Sequence, residues 1–291
     1  MKLISREHID TERWNNRIQQ STTENIFCYS WYLDACAKNW SAIITDDYKT
    51  IVPIPFSKKL GVQQVYQAQF TRELDIFGNE FNWEEVLSFL AKDFKAIQFR
   101  NGTQNLLDQF ETRNHQWLDL KGELNFKNNA KRLIKKADKI YSYKNSEDPT
   151  RLIELFKKTA FQKIETLNNE DLLRLEKLMK SSFENGHGEL IEVFKNDEFV
   201  GAGYFLKDKK RITYLKSAAI EEDKKAGAMY GLINFAINRF KKDYLIFDFG
   251  GSDVENVATF YRKFGAEDRS YYNYELNNLP AWFKALKRIK G

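Results

Sequence analysis

Cysteine, histidine and proline are scarce: the 291 residues include 2, 3 and 4 of them. Two cysteines, Cys28 and Cys36, cannot form a disulfide framework, and three scattered histidines give no metal-ligand spacing. Neither a stapled secreted domain nor a metal centre is therefore expected, and a reducing cytoplasm is the compartment that fits. No segment approaches the apolar length that spans a bilayer, and the first residues, MKLISREHID, lack the apolar core of a signal peptide. Charge of one sign is also missing. Lys and Arg total 46 against 41 Asp and Glu, a net +5, which suits phosphate-bearing ligands or an anionic surface and falls short of a dedicated DNA binder. Aromatics are abundant instead: 23 Phe, 14 Tyr and 6 Trp supply a sizeable core for two domains or one large one.

Trp14 and Ile18 sit four apart in a polar segment, and FCYSWYLDACAKNW suggests a short helix. Residues 42–45 and 51–56 read as a hairpin, with Pro53 and Pro55 confining the second arm to an edge or irregular strand. VQQVYQAQF is a third strand. Trp83, Val86, Leu87 and Leu90 keep helical spacing, AIQFRNG is a strand, and a helix over about 104–112 leads to the strand HQWLDL. This order repeats about 150 residues later, with Asp47, Tyr66 and Phe99 matched by Asp197, Tyr214 and Phe249. Two related α/β domains, 1–121 and 122–291, are therefore expected.

The second domain opens with NFKNNAKRLIKKADKI, which places Ala130, Leu133, Ile134, Ala137 and Ile140 on one helical face against Lys131, Arg132, Lys135, Lys136 and Lys139. Two more helices and the strands GELIEVF, EFVGAGYFL and RITYLKSAA follow. Gly201 and Gly203 suggest close packing or a bulge. In EEDKKAGAMYGLINFAINRFKK, Met229, Leu232, Ile233, Ala236, Ile237 and Phe240 mark a helix. YLIFDFGG is then a buried strand ended by glycines. Ser252 and Glu255 have capping-box spacing, Val254, Val257, Ala258 and Tyr261 share the face of the next helix, and a strand over 271–276 closes the unit.

Asn256, Ala258, Phe260, Tyr261, Lys263, Phe264 and Gly265, in NVATFYRKFGA, resemble a segment near the end of GNAT-type N-acyltransferases, and the preceding FDFGGS resembles the tandem-GNAT, FemABX-like branch. The resemblance implies an α/β fold of two GNAT-like domains in tandem, each a mixed, mostly antiparallel sheet flanked by helices, with the first domain degenerate and the donor site in the second. It implies an acyltransferase in which Tyr261 protonates the leaving group. An aromatic on that helix face also fits simple packing. Asp248, at a buried strand end, is a candidate base or a structural acceptor. Fem enzymes that transfer aminoacyl groups typically carry lysine where Tyr261 stands, which leans toward a thioester donor.

The GNAT pyrophosphate turn is matched in part. Lys224 takes its first position and Gly227 its glycine, but Met229 replaces the final small residue. Lys224, Lys225, Gly227 and Ala228, with Asn256, are therefore expected to hold the acyl-CoA co-substrate, although Gly227 could instead relax a helix start. A basic helix in FemABX-like proteins is similar at Arg132, Lys136 and Ala137, which implies that Arg132 and Lys136 meet phosphates of donor or acceptor; a solvated face is the plain alternative. No Cys/His or Ser/His pairing marks a covalent nucleophile, so the expected reaction is direct attack by an amine on the donor carbonyl. The acceptor would be a small molecule or a cell-wall precursor. Alternatives are aminoacyl-tRNA-dependent transfer to a peptidoglycan precursor and a non-catalytic binding module. The basic tail, LPAWFKALKRIKG, could touch a membrane or pack back on its own domain.

Overall fold

The computed structural model describes residues 1–45, 47–102, 110–250 and 254–290. Their elements are β1 (Leu3–Ser5), α1 (Thr11–Gln19), α2 (Ser30–Cys36), β2 (Asn39–Ile44), β3 (Ile51–Lys59), β4 (Val62–Val65), α3 (Trp83–Leu90), β5 (Ala96–Asn101), β6 (Phe110–Asp119), α4 (Asn128–Ala137), β7 (Ser142–Ser146), α5 (Thr150–Thr159), α6 (Asn169–Glu184), β8 (Gly188–Lys195), β9 (Glu198–Lys207), β10 (Arg211–Ala219), α7 (Glu221–Ala226), α8 (Ala228–Phe240), β11 (Ile246–Asp248), α9 (Glu255–Arg262), β12 (Glu267–Asn277) and α10 (Ala281–Lys290). The fold is mixed α/β with mostly antiparallel sheet. Contacts group the chain into two units, 1–113 with 270–291, and 114–269.

In the first unit the strand order is β1-β2-β3-β4-β5-β12, antiparallel except for β4 with β5. Trp14 and Ile18 of α1 are fully buried, as their spacing requires. Asn82 and Glu85 form a capping box on α3, which lays Trp83 against Phe99 of β5 with ring centres 4.4 Å apart. The proline-containing strand is interior, not an edge. The Pro55 carbonyl accepts from Tyr66 N–H on the β4 side, yet β4 pairs only with Phe56–Lys59, so the missing N–H groups of Pro53 and Pro55 fall where no ladder needs them.

The second unit repeats the pattern as β7-β8-β9-β10-β11-β6, again antiparallel except for one pair, β10 with β11. Its core joins Phe205, Ile212, Tyr214, Phe247, Phe249 and Phe264 to the inner face of α8. Ala130, Ile134 and Ala137 of α4 join the same cluster. The repeat is structural: Tyr66 and Tyr214 each follow the last residue of a parallel pairing, Val65 and Thr213.

In each unit the fifth strand of the sheet is joined by a strand that is not the next one in the chain. β12 completes the first sheet by pairing with β5, and β6 completes the second by pairing with β11. The sequence division at 121 places β6 with the first domain and 270–291 with the second, whereas the contact units group residues 114–119 and 270–277 the other way. Other local expectations also shift. The strand VQQVYQAQF stops at Val65, residues 110–112 are strand, and β7 carries no strong strand signal in sequence. The helix expected over 104–112 otherwise lies outside the described residues, as does Ser252 of the capping box; Val254 occupies the N-cap of α9.

Candidate active site

β10 and β11 pair in parallel over three steps only, from Arg211↔Ile246 to Thr213↔Asp248. Beyond Thr213, β10 runs on to Ala219 paired with β9, and its register shifts between Tyr214 and Lys216. A bulge of this kind bends the strand and re-aims its side chains. Gly250, at φ 80, turns the chain away from β11; a Cβ there would lie 2.6 Å from the Tyr214 carbonyl oxygen, so only glycine fits without displacement. Two parallel strands thus part beside Tyr214 and Phe249.

Tyr261 reaches this opening from α9. Its ring stacks on Phe249 with centres 4.7 Å apart and meets Tyr214 edge-on at 6.4 Å. Burial, with the Asp248 carboxylate adding to it, pushes the Tyr261 hydroxyl well above the ordinary tyrosine value, so it stays protonated through the neutral range. Burial also raises Tyr214, and the charge of Tyr261 reinforces it. The Tyr261 ring is thus a packing element of the core, and burial keeps its hydroxyl protonated.

Asp248 is fully buried. Phe247 and Phe249 point into the core beneath α8, so strand alternation turns Asp248 to the opposite face of the sheet. There it accepts from Gly250 N–H at 2.9 Å and from Arg211 Nη1 at 3.4 Å, with His115 Nδ1 at 3.9 Å. The Arg211 guanidinium also lies over the Trp117 ring at 5.3 Å and reaches Asp208. This carboxylate ties β11 to β10 and sets the turn at Gly250.

The residues expected around a pyrophosphate do not converge on an open cradle. Residues 221–226 are helical, and Gly227, at φ 107, ends α7 and begins α8. Its N–H is already given to the carbonyls of Asp223 and Lys224. Gly227 and Ala228 are buried, with Leu133 of α4 against Gly227. Lys224 and Lys225 are exposed on the last turn of α7, and Asn256 is exposed at the start of α9. The Gly227 N–H is thus taken up within the turn, and Leu133 of α4 packs against it. Arg132 and Lys136 are exposed on α4, where Arg132 meets Asn129.

Sequence reasoning passed over three residues. Tyr214 was noticed only as a repeat partner, and Arg211 opens a strand without distinguishing marks. Lys216 interrupts an apolar run, a faint signal; in the fold it is half-buried, with Nζ 4.6 Å from the centre of the Phe156 ring. At the other end of the chain, Phe283 of α10 packs back on Val62 and Leu279, while Trp282 is exposed. No helix among the described residues is long and apolar enough to cross a membrane, and no cluster there could hold a metal ion.

Residues 125–262 match the model of the Acetyltransferase (GNAT) domain family. No curated protein matches the sequence. Among solved structures, FemX superposes with a TM-score of 0.68 at 12% identity, covering 96% of this chain and 98% of that one. The C-terminal domain of a putative lysylphosphatidylglycerol synthetase from Agrobacterium fabrum gives 0.61 at 10% identity, covering 92% of both chains. A tandem GNAT protein from the clavulanic acid biosynthesis pathway gives 0.51 at 10% identity, over 96% and 99%. At such identities the likeness concerns the fold.

Proposed function

We propose that the chain is a FemABX-like acyltransferase of the GNAT fold, in which an acceptor amine attacks the carbonyl of an activated acyl donor directly, in the opening between β10 and β11, with Tyr261 as the general acid. The observation that carries this reading is the seat of Tyr261 where the two parallel strands part, stacked on Phe249, with a hydroxyl that burial keeps protonated. A protonated phenol can donate to a leaving group and cannot serve as the base. Direct attack needs no protein nucleophile; holding amine and carbonyl together supplies much of the acceleration. Asp248 acts by position, through Arg211 and the Gly250 turn.

The donor's phosphates, in this reading, meet the exposed cations Lys224 and Lys225 of α7 and Arg132 and Lys136 of α4, since Gly227 and Ala228 are covered. That cover also favours a second reading, in which the donor is an aminoacyl ester on tRNA in place of acyl-CoA. The acceptor under either reading is a primary amine, on a small molecule or a cell-wall precursor.

Assay of the full chain with acetyl-CoA, and separately with aminoacyl-tRNA, against a panel of primary amines distinguishes the two. Tyr261→Phe keeps the ring stack and removes the proton, so turnover should fall on the order of a hundredfold with little change in thermal stability. Full turnover by Tyr261→Phe would remove Tyr261 from the chemistry.

A further inference from the structure

Two exposed apolar side chains lie on elements that pack together in the first unit, and the chemistry proposed above uses neither. Lys59 and Val62 pair across a two-residue turn made of Leu60 and Gly61, whose φ values are 50 and 79. Positive φ at both positions marks a type I′ turn, where asparagine, aspartate or glycine is usual. Leucine there takes a left-handed conformation that is costly for its side chain, and it gains no burial in return, since Leu60 is 65% exposed. Two residues on, Val62 is buried against Phe283 of α10. Trp282, the neighbour of Phe283, is 50% exposed, and no other tryptophan among the described residues is exposed. Successive helical residues point about 100° apart, so one turn of α10 packs inward through Phe283 and turns an indole to solvent.

Five lysines lie on the same elements. Lys58 and Lys59 are exposed beside the turn, and Lys284 is exposed on α10, with Nζ 3.5 Å from the Asn277 carbonyl oxygen. Lys92 and Lys95 are exposed on the segment after α3, where Lys95 N–H donates to the Gln63 carbonyl of β4 and the Lys95 carbonyl accepts from Asn278 N–H. The carboxylates beside them are Asp93 and Glu275. None of the five lysines has an ion-pair partner among the described residues. An exposed indole and an exposed aliphatic side chain among unneutralised cations match the boundary of an anionic bilayer: the indole suits headgroup depth, and each nearby lysine is drawn to the surface charge.

We infer that the β3–β4 turn and α10 form a peripheral docking surface for an anionic lipid bilayer, with Leu60 and Trp282 entering the headgroup layer and Lys58, Lys59, Lys92, Lys95 and Lys284 meeting its negative charge. The contact of Val62 with Phe283 holds turn and helix together. Attachment is shallow and reversible, because α10 has 10 residues and cannot cross a bilayer. The tail thus packs on its own unit and touches a membrane at once. No residue of this surface takes part in the proposed acyl transfer, so the two inferences stand or fall separately.

The test is flotation of the full-length protein with vesicles of phosphatidylcholine alone and of phosphatidylcholine carrying about 30% phosphatidylglycerol. The protein should float with the anionic vesicles only, and raising NaCl from about 50 mM to about 500 mM should release most of it. Leu60→Asn suits the turn, so it should keep or raise the melting temperature while lowering the floated fraction. Combined with Trp282→Ser, it should weaken partitioning by about tenfold. No flotation with the anionic vesicles, equal flotation with the neutral ones, or undiminished flotation of the double variant would overturn the inference. Flotation lost on Lys131→Glu with Lys135→Glu and kept by the double variant would place the contact on α4 instead. A lipid-free dimer by sedimentation that the double variant makes monomeric would assign the surface to a second copy of the chain and equally overturn it.

Discussion

Changing Asp248 to Asn keeps the side chain's shape and removes the charge that Arg211 meets at 3.4 Å in a buried setting. The amide can still accept from Gly250 N–H, but the guanidinium loses a charged partner, so the cost should be about 1–3 kcal/mol in urea unfolding. Activity should fall only as far as Tyr261 and its support are displaced. An unchanged unfolding midpoint with abolished turnover would make Asp248 a base and not an anchor. The sequence left both roles open because a carboxylate at a strand end looks the same in either. Only the sheet face on which it lies separates them, and that follows from Phe247 and Phe249 both entering the core. The segment bearing Tyr261 was legible at this scale because it is a run of neighbouring residues. Lys216 was not, since its contact with the Phe156 ring joins it to a helix distant in the chain.

At the scale of elements, the site is made by a strand ending and a turn departing. Gly250→Ala places a Cβ against the Tyr214 carbonyl and forces φ 80 on a side-chain residue, which should cost about 1–3 kcal/mol by thermal or chemical denaturation. Because the same turn carries the backbone N–H bonded to Asp248, turnover should drop as well. A fully stable and active Gly250→Ala would mean that the opening does not depend on this turn. The basic helix was readable from its spacing, and α4 buries the apolar residues Ala130, Ile134 and Ala137 that the pattern selected. That this helix would lie over Gly227 was not readable. The glycine suggested an open anion cradle, and tertiary packing made it a buried joint between α7 and α8.

At the scale of the whole molecule, contacts cut across chain order. Residues 270–291 belong with 1–113, where β12 pairs with β5 from Tyr272↔Asn101 to Asn277↔Ala96 and Phe283 packs on Val62. Deleting 270–291 should therefore unfold or sharply destabilise the first unit, read as loss of hydrogen-exchange protection in β3, β4 and β5, with smaller effects in β8 and β9. Protection lost first in β8 and β9 would contradict the grouping. The two-domain arrangement itself was visible as a pattern repeating at about 150 residues, because both units use the same strand order and the same single parallel pair.

The sequence by itself determined the class of fold, most helices and strands, the repeat, and the segment bearing Tyr261, because each is written in local periodicity, turn chemistry or a run of neighbouring residues. The tertiary structure alone decided which strand completes each sheet, since backbone ladders join β12 to β5 and β6 to β11 without a side-chain code that names the partner. It also decided that Gly227 is covered, that Asp248 is tied to Arg211, and that Lys216 rests on Phe156. In each case the deciding contact joins elements far apart in the chain, and the burial it creates, more than residue type, sets the chemistry.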